Sequence, residues 1–158
     1  AQWKSRSVYT PGFVLGGKEW RGWFGRDELP RASSQPTGTL TASSDDGKQW
    51  SLRFEPAAGN SSAFDFHAAL LGFDANSDVK AGENRGRKLQ HDFVVLTLAT
   101  TTSKGNNGTF QIELILTPSS RPSASRLGVA VWITRHKDLQ PLQAIGGWLP
   151  EKSPQSTQ

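Results

Sequence analysis

The 158-residue chain has no cysteine, no methionine and one tyrosine. It also has no apolar run near the roughly 18 residues that a membrane-crossing helix needs. The absence of cysteine excludes disulfides, thiolate metal ligands and a catalytic thiol from this chain. Gly16-Gly17-Lys18 lacks the spacing and the Ser/Thr of a phosphate-binding loop, and there is no Gly-x-Ser-x-Gly elbow and no His-Glu-x-x-His. Charge of one sign is in modest excess, 18 Lys and Arg against 14 Asp and Glu, a net +4. The positive residues are spread along the chain without a basic helix or finger spacing, so no nucleic-acid partner is expected. Helix signals are thin, amounting to one short turn over Gly25–Pro30 that Pro30 would stop. The chain opens Ala1-Gln2-Trp3 with no basic and apolar leader, which reads as a processed or truncated polypeptide.

What is present is enough apolar material for one domain: 35% hydrophobic residues, with six Trp and eight Phe. Its dominant pattern has a period of two. Trp50, Leu52 and Phe54 alternate with polar neighbours, as do Phe64, Phe66, Ala68 and Leu70. Phe110, Ile112, Leu114 and Leu116 share a face, and so do Leu127, Val129, Val131 and Ile133. Further strands are predicted over Thr39–Ala42, Phe93–Leu98 and Leu139–Leu149, with turns at Asp45–Lys48, Asp74–Asn76 and Gly105–Gly108. The fold class is mainly β, with an antiparallel β-sandwich over 37–149 and a polar tail over 150–158. Residues 1–30 read differently, and 31–36 read as a linker.

Within 1–30, Val8-Tyr9-Thr10-Pro11 leads into Phe13-Val14-Leu15-Gly16-Gly17-Lys18. This resembles the cis-proline strand and following hairpin of thioredoxin-like folds. Together with Ala81-Gly82-Glu83-Asn84-Arg85-Gly86-Arg87-Lys88 and the apolar strand behind it, the chain is similar to a bacterial secreted thioredoxin-like family, that of domain of unknown function 1223. The resemblance implies that residues 1–30 are the C-terminal strands of a thioredoxin-like unit. Its cysteine-bearing half would lie outside this chain, which predicts a second polypeptide as partner and a periplasmic or secreted location. Thr10 and Pro11 would line that partner's substrate groove, and this chain would bind and assemble rather than catalyse.

Other candidates come from the residues themselves. Glu83, Asn84, Arg85 and Arg87 lie in a loop whose glycines permit close backbone approach, so it could hold an anion; alternatively Glu83 and Asn84 cap the turn and pair with Arg87. Trp20, Trp23 and Phe24 lie among Lys18, Arg21 and Arg26, either as interface aromatics or as a stacking surface. Asp65 and His67 share a strand face, and with His91, Asp92 and His136 they complete the imidazoles of the chain. Nothing in their spacing requires convergence, so no metal and no cofactor is expected. Two other functions are compatible with the sequence. One is a free-standing β-sandwich binding carbohydrate or another small ligand through exposed Trp. The other is a subunit lending residues near Glu83, Arg87 and His91 to a shared active site.

Overall fold

The alternating segments form strands because every second side chain can leave water only if the backbone is extended and its polar groups are paired across a sheet. A computed structural model describes residues 13–31, 35–57, 63–105, 108–118 and 124–150, with the backbone alone for Trp23. Among them the chain is mainly β and all strand pairs are antiparallel. β1 (Val14–Leu15) and β2 (Lys18–Glu19) form a small hairpin, followed by the single-turn α1 (Gly22–Gly25). The short helix predicted at Gly25–Pro30 thus forms a few residues earlier. The hairpin lies against the 139–140 loop, so closely that a Cβ on Gly17 would come within 2.5 Å of the Leu139 carbonyl oxygen.

The body consists of two sheets. One is three-stranded, in the order β3 (Gly38–Ser43), β4 (Gln49–Pro56), β9 (Phe110–Ile115). The other is four-stranded, in the order β11 (Pro141–Trp148), β10 (Arg126–Arg135), β5 (Phe64–Phe73), β8 (Val94–Ser103). Trp50, Leu52 and Phe54 from β4 and Phe110, Ile112 and Leu114 from β9 meet Phe64, Phe66, Ala68 and Leu70 from β5 and Val129, Val131 and Ile133 from β10 in one buried cluster. The two sheets therefore face one another across a shared core, in the manner of a β-sandwich. Edge-to-face contacts link the rings of Phe54, Phe64 and Phe110, with centroids 5.1 and 4.5 Å apart along the chain of three.

The turn predicted at Asp45–Lys48 joins β3 to β4. Oδ1 of Asp46 accepts the amides of Lys48 and Gln49, and the Ser44 hydroxyl accepts that of Gly47. The second predicted turn, at Asp74–Asn76, is instead a kink at Asp74 (φ 54°). Beyond it the chain continues into β6 (Ala75–Asp78), turns, and returns as β7 (Lys88–His91). β6 and β7 make a separate two-stranded arm, and β8 starts at Val94 rather than at Phe93. Phe93 is the return kink opposite Asp74, with φ 58°.

Candidate functional site

Burying one face of each strand leaves the other face outward, and the two outward faces differ in chemistry. On the three-stranded sheet the cross-strand rows place Thr39 beside Glu55, Arg53 between Thr41 and Gln111, and Ser51 beside Glu113, with Ile115 the lone apolar member. A shallow groove of ≈ 320 Å³ is lined there by Thr39, Thr41, Arg53 and Glu55, and its two charged groups neutralise each other as an ion pair. This is an ordinary solvated face.

The outward face of the four-stranded sheet changes character along its strands. At one end, Asp65 on β5 is flanked by Thr134 of β10 and Thr102 of β8. Thr102 Oγ1 donates to Asp65 Oδ1 at 2.6 Å, His136 Nδ1 lies 2.9 Å from the same oxygen, and the Lys137 amide donates to Oδ2 at 3.1 Å. Burial alone would push this carboxyl's pKa up. The bonds from Thr102, His136 and Lys137 outweigh that and bring it to about 2, so it is a carboxylate at every ordinary pH. One row on, His67 stacks on Trp132 with ring centroids 5.1 Å apart and planes 12° apart. His67 Nδ1 meets Thr100 Oγ1 at 2.9 Å and Nε2 meets Thr134 Oγ1 at 3.2 Å, so one ring nitrogen donates and the other accepts. Burial lowers the His67 pKa, and the charge of Asp65 opposes that only in part, which shifts the balance toward the neutral ring.

The other end is apolar. Continuing the rows gives Ala69 and Leu98, then Leu71 and Val95, with Gly128 and Trp148 on the far side. Leu98 is 59% exposed, Val95 57%, Trp148 59% and Phe93 70%. Phe73 lies beneath Trp148 and Phe93, at 4.4 and 4.8 Å between centroids. The Arg126 guanidinium carbon is 4.4 Å from the centroid of the Trp148 ring, while its Nε pairs with Asp74 Oδ2 at 3.1 Å. Asp74 also accepts from Ser125 and Gln90, and its own amide donates to Asp92 Oδ1, which fastens the base of the arm to β10. The Ser125 hydroxyl is the main cause of the lowered Asp74 pKa, with Arg126 adding to it.

The predicted site residues fall as follows. Thr10 and Pro11 lie outside the described residues. Glu83, Asn84, Arg85 and Arg87 form the exposed tip of the arm. The amides of Arg85, Gly86 and Arg87 donate to Gly82, Val79 and Asn84 carbonyls, and Arg87 Nη1 reaches Asn84 Oδ1 at 3.5 Å. These three backbone donors are therefore used within the loop, and its side-chain cations face solvent. Trp20 is half-buried in an edge contact with Phe13, Phe24 is exposed, and the Trp23 side chain is outside the described residues. His67 and His136 both come next to Asp65, whereas His91 is on the arm, with Nε2 2.7 Å from Ser77 Oγ. Among the described residues no group of three or more His, Asp or Glu is arranged to hold a metal ion, and no helix is long and apolar enough to cross a membrane. Sequence reasoning missed the strip formed by Phe93, Val95, Leu98 and Trp148. Leu98 and Val95 lay within an apolar run, where nothing distinguished the buried from the exposed face.

Comparison with curated proteins and comparison with solved structures gave no match. The family model described as Protein of unknown function (DUF1223) matches residues 1–134, which takes in both sheets up to the penultimate residue of β10. With well over half of its length matched, the chain belongs to that family.

Proposed function

We propose that this is a non-catalytic binding and assembly chain, and that a second polypeptide docks on the outward face of its four-stranded sheet. The observation that carries this reading is the contrast between the two outward faces. One is Thr, Ser, Gln and charged side chains with Ile115 as a lone exposed apolar residue, while the other exposes Phe93, Val95, Leu98 and Trp148. Contiguous exposed apolar surface costs solubility and marks a contact site. Phe93 adds to this, since a bulky residue at positive φ is strained by about 1–3 kcal/mol. A polypeptide suits the patch better than a sugar does. Aliphatic Val95 and Leu98 offer no hydrogen bonds, and the Trp148 ring already carries Arg126 on one face and touches Phe73.

The resemblance of Val8–Lys18 to a thioredoxin-like strand supports a cysteine-bearing half as that polypeptide, in an exported protein. Any thiol chemistry then belongs to the partner, because this chain supplies no sulfur nucleophile.

Native mass spectrometry of the protein from its source tests the reading, using wild type, Leu98→Asp and, on the opposite sheet, Thr41→Asp. A second polypeptide should be retained by wild type and Thr41→Asp and lost from Leu98→Asp. A lone chain in all three samples, or equal retention in all three, rejects the docking face.

A further inference from the structure

The polar residues bordering the apolar patch carry their own signal. The β6–β7 arm grows directly out of it. Phe93 lies just beyond the arm's return strand, Asp74 just before its outgoing one, and the Asp74–Arg126 pair ties its base to the ring of Trp148. At its far end, residues 78–88 hold Lys80, Arg85, Arg87 and Lys88 against two carboxylates, Glu83 in the loop and Asp78 across the strands from Lys88. All four cations are exposed, and among the described residues none of them forms an ion pair. The chain's net charge is only +4, and residues 78–88, with four bases against Asp78 and Glu83, carry +2 of it. Four arm residues at about 3.3 Å each span roughly 13 Å, somewhat beyond the Debye length of about 8–10 Å at 0.1–0.15 M salt, so these charges act on a ligand that extends from the patch along the arm.

We infer that the docking polypeptide is acidic around an apolar centre. Its apolar side chains cover Phe93, Val95, Leu98 and Trp148, and its carboxylates meet Arg85, Arg87, Lys80 and Lys88 on the arm. This rests on the docking face proposed above and adds the partner's chemistry. The apolar patch supplies the water-excluding contact, and the arm supplies steering and register, as rim charges do at protein interfaces. The tip is suited to that task. Bonds from the Val79, Arg85, Gly86 and Arg87 amides hold the loop's shape, while its cationic side chains are exposed and outside any ion pair among the described residues.

The probe is a random copolymer of glutamate and tyrosine, with polyglutamate as the purely acidic comparison, titrated by calorimetry into the whole chain. Wild type should bind the copolymer about tenfold more tightly than polyglutamate. Binding should weaken when salt rises from about 0.05 to 0.5 M. The double change Arg85→Glu/Arg87→Glu should cost about tenfold in affinity, and so should Leu98→Asp. Lys104→Glu/Arg135→Glu changes net charge equally at the opposite end of the sheet, and should cost less than about threefold. Unchanged circular dichroism and melting midpoints establish that each variant is folded.

Equal losses from the two double changes would reduce the effect to net charge and overturn the inference. Absence of copolymer binding would overturn it too, as would insensitivity to either Leu98→Asp or the arm reversal. Preferential binding to phosphatidylcholine vesicles with about 30% phosphatidylserine, lost in the arm variant, would assign the surface to a membrane instead. If the native partner is lost from Leu98→Asp but kept undiminished by the arm variant at about 0.05 M salt, the docking face stands and the acidic partner falls.

Discussion

His136 Nδ1 lies 2.9 Å from Oδ1 of Asp65, a residue 71 positions earlier, and so joins the turn after β10 to the outward face of β5. The same carboxylate takes a hydroxyl from β8 and the amide of Lys137, which makes it the polar knot of the four-stranded sheet at the end away from the arm. Its side chain is only 14% exposed.

Acid should loosen that knot. The folded pKa of Asp65 is about 2 against an ordinary 3.8, a depressed value, so the unfolded chain binds the proton first as pH falls. The stability it contributes is complete above about pH 4 and disappears as pH drops from there through about 2, by an amount of up to roughly 2 kcal/mol. Urea unfolding at stepped pH should show this slope. In Asp65→Asn the slope should shrink, and stability at pH 7 should be lower by about 1–2 kcal/mol. An unchanged acid limb in that variant would remove Asp65 from the account.

His67 should titrate below the ordinary imidazole value of 6.5, because its burial outweighs the nearby charge of Asp65. The unfolded state then holds more protons than the native state below pH 6.5, so stability declines as pH falls through that region. Ring resonances followed by NMR give the midpoint directly. Asp65→Asn removes the opposing charge and should move the midpoint lower still; a midpoint above 6.5 would contradict the stacked, desolvated setting against Trp132.

In the core, Phe54→Ala should cost about 3–5 kcal/mol. Phe54 is fully buried and touches Phe64 across the two sheets, so its removal leaves a cavity that rigid strands on both sides cannot close. Chemical denaturation gives the difference, and a loss below about 1 kcal/mol would mean that the sheets do not share this core.

Trp50 and Trp148 should separate by solvent access. Trp148→Phe should lower the slope of acrylamide quenching far more than Trp50→Phe does, since Trp50 is buried and Trp148 stands in the open patch. If the docking face is occupied in the preparation, wild-type quenching falls toward the level of Trp148→Phe.

Much of the β-structure was legible in the residues. Trp50-Ser51-Leu52-Arg53-Phe54 and Phe110 to Leu114 announce a buried and an open face, and the strands formed where the alternation is strict. Legibility failed at Asp74 and Phe93. The segment around Asp74 carries ordinary turn residues, yet the chain only kinks there and continues into β6, because Asp92 and Arg126 hold the bend. Both partners are remote in sequence, so no local pattern could announce them. The convergence of His67 and His136 next to Asp65 was hidden for the same reason. It depends on β5 lying between β8 and β10, and strand order is a non-local choice.

The sequence by itself determined that the strictly alternating segments form strands, which of their faces turn inward, and that this chain brings no thiol. Local backbone preference and a period of two suffice for these, because burial must follow the pleat. Tertiary structure alone decided that one outward face is polar while the other is apolar toward the arm. Each strand contributes only one or two residues to a row across the sheet, so the character of a face exists only once the strands are ordered side by side.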